Sequence, residues 1–418
     1  MTVRRIFKGI IKVLKCLGII IPGLIIILLI VCFIGKMYYN RTPQGGINES
    51  IYIEVNGQQQ WLSIYGEDKN NPVLLYLHGG PGDSSSLYDY RILRKLANDY
   101  TVVNWDQRDA GKTWIHDPQD TAITSDLLRS DIDAVTDFVL DYTGKSQLTL
   151  LGISWGTMYA GDYAFRHPEK VERVFYLSPV IVEDWKNTSE KVVFDYVNGD
   201  IDFQTFADKY GYAPLFNFYK QEGITEPEQF IRIWEAQKNA YLKVTEDDRK
   251  YHAYAEKIDI DLWREYYRDK SDTDTEARIL ENFEKYEPPI QNKYGNKLYS
   301  RCHETPFDGD FSPVTAVFFN PYYSLSDLIK YEDECEKYKD NVLYETLTAD
   351  FTLKSKTDYQ MPVYIFEGKY DDYNIGEIMK NYYESITAPD KDFRYVEGGH
   401  MSAMLNSEEL LQFVQENS

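Results

Sequence analysis

A serine flanked by two glycines stands where an apolar run changes into helix-like spacing. Residues 148–153 read LTLLGI, and Ser154 lies in the middle of GISWG, residues 152–156. The pattern G-x-S-x-G between a predicted strand and a predicted helix is typical of a sharp turn that exposes a serine hydroxyl above a sheet. A hydroxyl is a poor nucleophile until a neighbouring base accepts its proton. The sequence therefore predicts that a histidine and an orienting acid lie elsewhere in the chain.

A histidine and an aspartate near the C-terminus have the positions that this chemistry needs. His400 follows the last predicted strand in VEGGHM, and Asp371 follows the preceding strand in FEGKYDD. The chain order Ser154, Asp371, His400 is one in which nucleophile, acid and base meet above a parallel sheet. Asp372 stays open as the alternative acid. A solvated histidine and a turn-forming aspartate are the competing interpretation, but three such residues at three strand ends favour catalysis.

A glycine-rich segment after an earlier strand completes the predicted site. HGGPG, residues 78–82, ends the apolar run PVLLYLHG. Its glycines let backbone N–H groups approach a reacting carbonyl without obstruction by side chains. We expect the N–H groups of Gly80 and Trp155 to bind the developing negative charge, and Pro81 to stiffen the loop. A plain turn is the alternative interpretation, but the position relative to the serine turn favours function.

Charge and cysteine content bound the partners. The formal net charge is −22 over 418 residues, which argues against nucleic-acid binding because that needs a positive surface. No C-x-x-C pattern or His/Cys cluster suggests a metal site, so we predict neither a metal nor a cofactor. Cys302 and Cys335 could form one disulfide if the body lies outside the cytoplasm, or remain two buried thiols. The sequence leaves this pairing and the oligomeric state open.

The N-terminal segment, residues 1–41, predicts a membrane anchor. Residues 16–35 contain no charged residue over 20 positions, enough helix to cross a hydrocarbon core of about 30 Å. All charges before Glu49 are basic, and most precede this run, so we expect a cytoplasmic N-terminus and an extracytoplasmic body in the cell membrane. We interpret the segment as a single-pass signal-anchor that contributes anchoring only. A cleaved signal peptide is the rival interpretation, disfavoured because no small-x-small cleavage pattern follows the run.

Apolar strands alternate with amphipathic helices in two parts of the remaining chain. The pattern predicts strands at 51–56, 60–65, 72–79, 100–106, 147–153, 172–178, 361–368 and 391–399. It predicts helices at 87–98, 125–142 with Ser125 as the cap, 155–166, 375–386 and from about 407. Such alternation is typical of an α/β fold with a mostly parallel sheet flanked by helices.

A long interruption separates the two parts of the sheet. Residues 181–360 are rich in Tyr, Glu, Lys and Asp and have no buried-strand runs. Helix-like spacing occurs there at 226–243, 260–268 and 274–286. We interpret this segment as an inserted helical cap, so that the catalytic body is formed by residues 42–180 and 361–418.

Five motifs together resemble the proline iminopeptidase family of α/β-hydrolases. They are HGGPG (78–82), NWDQRDAGKT (104–113), GISWG (152–156), GKYD (368–371) and GGH (398–400). The resemblance implies an α/β-hydrolase fold and a serine hydrolase that releases N-terminal residues, typically proline, from short peptides. Together with the predicted anchor, it gives a membrane-anchored serine hydrolase. One position departs from the family, which usually has glycine where this chain has Asp109. Aspartate is one of the few other residues that tolerate a positive φ, which this position could require.

The resemblance also implies how a substrate is held. The family binds the free ammonium of a peptide through carboxylates in the cap, and IRIWEAQ is similar to its tryptophan–glutamate segment, which implies a role for Glu235. ARILENFE implies Glu281, with a one-residue insertion. Both glutamates could instead be solvated charges on helix faces. Trp234 and the cap tyrosines could line an apolar pocket for a proline ring or an acyl chain, or be ordinary core.

Two other functions remain as alternatives. An esterase or lipase-like hydrolase would use the same three residues on small acyl esters or amides, and would be indifferent to the amine that an aminopeptidase needs. A membrane-tethered binding protein on a hydrolase scaffold is a third class, which the intact set of Ser154, Asp371 and His400 argues against.

Overall fold

The computed structural model describes residues 18, 22–24, 26–181, 313–331, 336–339, 341–368, 371, 378–396, 399–401, 404 and 406–418. The strands are β1 (Ile47–Val55), β2 (Gln58–Gly66), β3 (Val73–Leu77), β4 (Thr101–Asp106), β5 (Leu148–Ile153), β6 (Val171–Leu177), β7 (Val363–Gly368) and β8 (Lys391–Val396). The helices are α1 (Pro22–Tyr39), α2 (Ser86–Leu96), α3 (Gly111–His116), α4 (Ser125–Thr143), α5 (Trp155–Arg166), α6 (Pro313–Phe319), α7 (Leu325–Lys330), α8 (Asn341–Phe351), α9 (Ile378–Ser385) and α10 (Ser407–Glu416).

The strands form one sheet in the order β1-β2-β4-β3-β5-β6-β7-β8. β1, β2 and β4 pair antiparallel, and the strands from β4 to β8 pair parallel. The prediction of a mostly parallel sheet is therefore confirmed. Because the carboxyl ends of parallel strands meet at one edge of a sheet, the segments after β3, β4, β5, β7 and β8 lie along the same edge. We call this the carboxyl edge.

Helices cover both faces of the sheet, and the strands alternate their side chains between them. Leu75 and Leu77 of β3 pack into the core formed with α4, α5, α8 and α9. Leu74 and Tyr76, the residues of opposite parity, pack into the core formed with α2 and α10. This period of two over a strand buried on both sides explains the continuous apolar runs in the sequence.

Most predicted elements are present, with small differences at their ends. Ser125 was predicted to cap α4, and this is wrong: Thr124 has extended backbone, and its side chain accepts from Leu127 N. Ser125 is instead the first helical residue. The sequence did not predict the six-residue α3. The helix-like segments at 226–243, 260–268 and 274–286 lie outside the described residues, and the boundaries of the cap stay a prediction.

The segment before β7 joins the core of the body. Leu347 and Phe351 of α8 are fully buried in the cluster below α5. Phe351 packs edge-on against Trp155 and Tyr159 at ring-centroid distances of 5.2 and 5.5 Å. Residues 341–351 therefore support the first helix after Ser154.

Helix α1 is the one element among the described residues that is long and apolar enough to cross a membrane, judged by length and composition. Almost none of it is buried by the rest of the chain, which distinguishes it from the core helix of a globular body. Its last turns nevertheless contact the body. Lys36 Nζ donates to the carbonyl of Tyr323 at 2.8 Å, and Tyr39 packs edge-on against Tyr90. These contacts give α1 a packing role that the sequence did not indicate.

Candidate active site

Ser154 lies on a sharp turn between β5 and α5. Its backbone has φ 52° and ψ −123°, a strained conformation for a residue with a side chain. The two flanking glycines are required for steric reasons. A Cβ at Gly152 would lie 2.3 Å from the carbonyl oxygen of Gly156, and a Cβ at Gly156 would lie 2.1 Å from that of Leu77. The G-x-S-x-G pattern therefore reflects backbone packed against backbone on both sides of the serine.

Three side chains from three strand ends form one hydrogen-bonded chain. His400 Nε2 lies 2.8 Å from Ser154 Oγ, and His400 Nδ1 lies 2.7 Å from Asp371 Oδ2. Ser154 follows β5, Asp371 follows β7 and His400 follows β8, so the carboxyl edge brings them together. The structure thus assembles the three residues that the sequence singled out. Asp372, the alternative acid, lies outside the described residues.

The direction of these hydrogen bonds follows from the chemistry of the partners. An ionised carboxylate only accepts, so the imidazole donates from Nδ1 to Asp371. Nε2 is then left as an acceptor for the proton of Ser154 Oγ. Asp371 is 4% exposed and His400 is 9% exposed, so water competes little with either contact. The arrangement can accept a proton from the serine and stabilise the imidazolium that results.

The HGGPG loop lies beside the serine. A Cβ at Gly79 would lie 3.4 Å from Ser154 Cβ, so the loop backbone passes directly over the residue. Gly80 has φ 112° and precedes a cis peptide bond to Pro81. Trp155 is the first residue of α5, and the first N–H groups of a helix have no acceptor within it. The two backbone positions predicted to bind an oxyanion thus lie at the ends of two adjacent strands, β3 and β5.

His78 has a structural role in this loop. It is fully buried, its Nε2 accepts from Gln107 N at 3.0 Å, and its Nδ1 lies 2.8 Å from the carbonyl oxygen of Gly79. Burial lowers the pKa of His78 to about 4, so the imidazole is neutral near pH 7. Nδ1 therefore carries the proton and donates a hydrogen bond to the carbonyl oxygen of Gly79. The bond that Nε2 accepts from Gln107 N ties the loop after β3 to the loop after β4.

Asp106 joins the same two loops, and sequence reasoning did not single it out. Its carboxylate accepts from Ser84 Oγ at 2.6 Å, from Ser86 Oγ at 3.0 Å and from Lys112 N at 2.7 Å. Tyr323 OH approaches at 3.4 Å. Burial raises the pKa of Asp106 to about 6. The motif NWDQRDAGKT contains this residue, but the signal was only the resemblance, because the serine donors come from elsewhere in the chain.

Asp109 occupies the position where the family usually has glycine. Its φ is 56°, so the expectation of a positive φ is confirmed. The buried carboxylate accepts from Gln58 Nε2 at 2.7 Å and from Lys337 Nζ at 2.9 Å. Tyr338, the residue after Lys337, packs on the HGGPG loop, since a Cβ at Gly82 would lie 2.1 Å from Tyr338 Cδ2. The aspartate thus holds the segment that covers this loop, and no sequence signal indicated that contact.

The remaining predicted residues lie outside the described part of the chain. These are Glu235, Glu281, Trp234, Cys302 and Cys335. Their roles stay predictions. Within the described residues, no group of three or more His, Cys, Asp and Glu side chains is arranged to hold a metal ion.

Comparison with known proteins agrees with this geometry. The sequence profile described as alpha/beta hydrolase fold matches residues 72–228. The chain has the α/β-hydrolase fold. The probable aminopeptidase YbaC of Bacillus subtilis is 33% identical over 129 residues, which are 31% of this chain and 41% of the relative. The proline iminopeptidase of Heyndrickxia coagulans is 28% identical over 170 residues, 37% of this chain and 56% of the relative. The predicted resemblance to proline iminopeptidases is therefore confirmed.

One solved structure that is similar to this chain is that of a proline iminopeptidase-related protein. The proline iminopeptidase-related protein of Thermus thermophilus superposes with a TM-score of 0.49 and 16% identity, over 88% of this chain and 96% of that chain. The two sequence relatives above are matched over only 41% and 56% of their own length. The chain therefore has the α/β-hydrolase fold and is similar in sequence to proline iminopeptidases over part of its length. Its own activity and substrate belong to the proposal that follows.

Proposed function

We propose that this α/β-hydrolase is a serine hydrolase that works through an acyl-enzyme. The observation that carries the proposal is the chain of hydrogen bonds from Ser154 through His400 to Asp371 at the carboxyl edge. A serine on a strained turn, with a base in contact and an acid behind the base, is the arrangement that activates a hydroxyl for acyl transfer.

In the proposed mechanism His400 moves the proton twice. Ser154 Oγ attacks the substrate carbonyl carbon as its proton passes to His400 Nε2, which gives a tetrahedral intermediate. His400 then donates that proton to the leaving amine as the C–N bond breaks, leaving the acyl group on the serine. Water attacks the ester in the same way and releases the acid. Asp371 holds the imidazole in the required tautomer through Nδ1.

Backbone N–H groups of Gly80 and Trp155 stabilise the negative oxygen in this proposal. The N-terminus of α5 adds the positive end of a helix dipole at Trp155. Loss of one donor from such a site typically costs about 100- to 1,000-fold in kcat. The contacts of His78 within the HGGPG loop, and those of Asp106 with Ser84 and Ser86 directly after it, support this role because they fix this segment before substrate arrives.

The proposed substrate is a short peptide with a free N-terminal residue. The relatives named above are a probable aminopeptidase and a proline iminopeptidase, which supports this choice. Glu235 and Glu281 are proposed to bind the ammonium, and Trp234 to contact the side chain of the first residue. An amine that must be recognised as a cation makes acetylation a sharp test, because acetylation removes the charge.

Three substrates compared side by side test the proposal. We expect hydrolysis of proline p-nitroanilide and little hydrolysis of its N-acetyl derivative. Equal rates on the two, together with turnover of p-nitrophenyl acetate, would assign an esterase instead. Ser154→Ala should lower kcat by about 10⁴-fold or more. Ser146→Ala is the matched control, because Ser146 is exposed before the opposite end of β5, and it should leave kcat unchanged.

We further propose that α1 anchors the enzyme in the cell membrane with the N-terminus in the cytoplasm. The uncharged stretch and the basic residues before it support this orientation. Protease added outside intact cells should digest the catalytic body and leave a tag at residue 1 protected. Digestion of the tag as well, or protection of the body, would contradict the proposed topology.

A further inference from the structure

The end of α1 runs along the body in a defined direction. Lys36 reaches the carbonyl of Tyr323, and the hydroxyl of Tyr323 contacts Ser86 Oγ at 2.7 Å, close to Asp106 at the carboxyl end of β4. Arg41, five residues later, lies 3.8 Å from Glu67, just after β2. β2 is antiparallel to β4, so Glu67 marks the edge opposite to the carboxyl edge. The chain therefore descends from the carboxyl edge towards the opposite edge between residues 36 and 41.

This direction locates the uncharged part of α1. Followed backwards from Lys36, the helix leads away from the body on the side of the carboxyl edge. Gly35 ends the uncharged run, and it packs closely on α6, because a Cβ there would lie 2.4 Å from Phe319 Cδ1. If α1 spans a membrane, the contact between Gly35 and Phe319 lies near the boundary between the apolar core and the headgroups.

An exposed apolar patch occurs at the same level. Phe318 of α6 is 42% exposed, and Leu325 and Ile329 of α7 are 75% and 78% exposed. We call these three residues the apolar patch. Leu325 and Ile329 are four residues apart and so share one face of α7. Leu325 is two residues beyond Tyr323, a span of about 7 Å at most. The patch therefore adjoins the point where α1 meets the body.

Polar contacts hold the apolar patch in its outward position. Ser324 and Asp327 form a reciprocal cap at the start of α7. Asp327 also contacts Lys112 Nζ at 3.3 Å, and that lysine donates to the carbonyl of Tyr322 at 2.9 Å. Because the polar side of α7 is bound to the body, its leucine and isoleucine face away from it. Large apolar side chains fixed outwards beside an anchor are suited to a lipid surface.

We propose that the apolar patch is a second membrane contact, which inserts into the headgroup–acyl boundary of the leaflet from which α1 emerges. The carboxyl edge, along which Ser154 lies, is then directed towards the bilayer. This inference rests on the proposed anchoring by α1. It deepens the proposed function by substrate class: acyl compounds or peptides that are themselves associated with the membrane surface reach such a site without leaving the lipid.

Nitroxide accessibility in vesicles tests the proposal on the full chain. The cysteines at 16, 32, 302 and 335 are first replaced by serine. Single probes are then attached through Ile329→Cys in the patch, Ile27→Cys in α1 and Ser146→Cys before β5. The probes are compared for collision with oxygen, which concentrates in lipid, and with a water-soluble nickel chelate. Leu325→Cys is the second patch position, should the first variant fold poorly.

We expect the oxygen-to-nickel ratio at 329 to exceed that at 146 several-fold and to approach that at 27. A lipid-like ratio at 27 with a water-like ratio at 329 would overturn the second contact and leave the anchor intact. A water-like ratio at 27 would overturn the anchor, and the second contact with it. Low collision with both reagents at 329 would indicate a second copy or another protein on the patch and would also overturn the proposal.

Discussion

Two regions position the candidate site by different physical means. The serine turn, residues 152–156, is determined by steric exclusion, because a Cβ at either glycine would overlap backbone atoms. The paired loops 78–86 and 106–112 are held to each other by polar contacts, with His78 and Asp106 as their centres. The serine turn has no room for an added side-chain atom at either glycine. The paired loops depend on buried groups keeping the correct donors and acceptors.

The difference explains why the sequence predicted the geometry of the serine turn but not the polar contacts that join the paired loops. Steric exclusion imposes glycine at a fixed spacing, so it leaves a short local pattern. A buried polar network is satisfied by residues from several elements, so its members need not be near one another in the chain. The two regions should also fail differently: the serine turn through loss of local structure, the paired loops through loss of alignment and a changed response to pH.

The largest effect is expected from Gly156→Ala. The new Cβ would lie 2.1 Å from the Leu77 carbonyl oxygen, and backbone on both sides cannot withdraw. We expect a loss of more than about 3 kcal/mol in the free energy of unfolding, and of nearly all activity. Gly144→Ala is the comparison, because it has φ 67° but nothing within 4 Å. It should cost only about 1 kcal/mol and leave kcat unchanged. Similar losses in both variants would contradict the steric account.

Asp106→Asn should have the next largest effect. The carboxylate faces donors from Ser84, Ser86 and Lys112, so the amide NH₂ would meet donors instead of acceptors. We expect kcat to fall by about 10- to 100-fold, with a smaller change in KM, because the HGGPG loop loses its alignment. Rates should be expressed per labelled serine to exclude unfolded enzyme. Asp99→Asn, at an exposed aspartate that accepts from Gln415, is the matched control and should have no effect on kcat.

A buried carboxylate beside the paired loops, Asp89 of α2, should also respond to pH. Burial raises the pKa of Asp89 to about 7 from 3.8, while its carboxylate accepts from Tyr76 OH at 2.5 Å. The folded state thus holds the proton more tightly than the unfolded state. The resulting stability is full below about pH 4 and is lost as the pH rises through about 7.

Asp89→Asn isolates this contribution. The unfolding free energy of the variant, relative to the natural protein, should increase between about pH 4 and pH 7, on the order of a few kcal/mol. Unfolding by urea at several pH values, in one detergent, measures it. A difference that stays constant over that range, or that changes in the opposite direction, would show that Asp89 is not protonated in the folded state below pH 7.

The smallest effect is expected at Asp109, where backbone strain and a buried polar contact act on the same residue. Asp109→Gly relieves the positive φ but removes a buried carboxylate from its pair with Lys337. The two effects oppose each other, so we expect a net loss of about 1 to 2 kcal/mol. Asp109→Ala removes the pair and keeps the strain, and it should be less stable than the glycine variant by about 1 kcal/mol. Thermal unfolding of both variants gives the comparison. Equal stability would mean that φ at residue 109 relaxes freely.

The sequence predicted the parts of the fold that depend on local patterns. Buried runs of four to eight residues predicted the parallel strands, and G-x-S-x-G predicted the turn at Ser154. The placement of Asp371 and His400 followed from their position after strands. Helix ends were less accurate, since Thr124 rather than Ser125 caps α4; either hydroxyl can cap a helix, and only the backbone conformation decides between them.

The remaining parts depend on contacts between distant residues. Lys337 reaches Asp109, and Tyr323 reaches Ser86, across more than two hundred positions of the chain. Neither contact has a periodic or composition signal, because each is one charged or polar side chain meeting another. The sequence also did not predict the packing of α1 on α6. An apolar run indicates burial in lipid, but it does not indicate which residues its last turn contacts.

The most direct test of the account is covalent labelling of the full chain with a fluorophosphonate. We expect one phosphonyl adduct per molecule, located by peptide mass analysis on Ser154. We also expect labelling to be at least about 100-fold slower in His400→Ala, because the base that accepts the serine proton is gone. Absence of an adduct in the folded natural protein, or an adduct on another serine, would contradict the account.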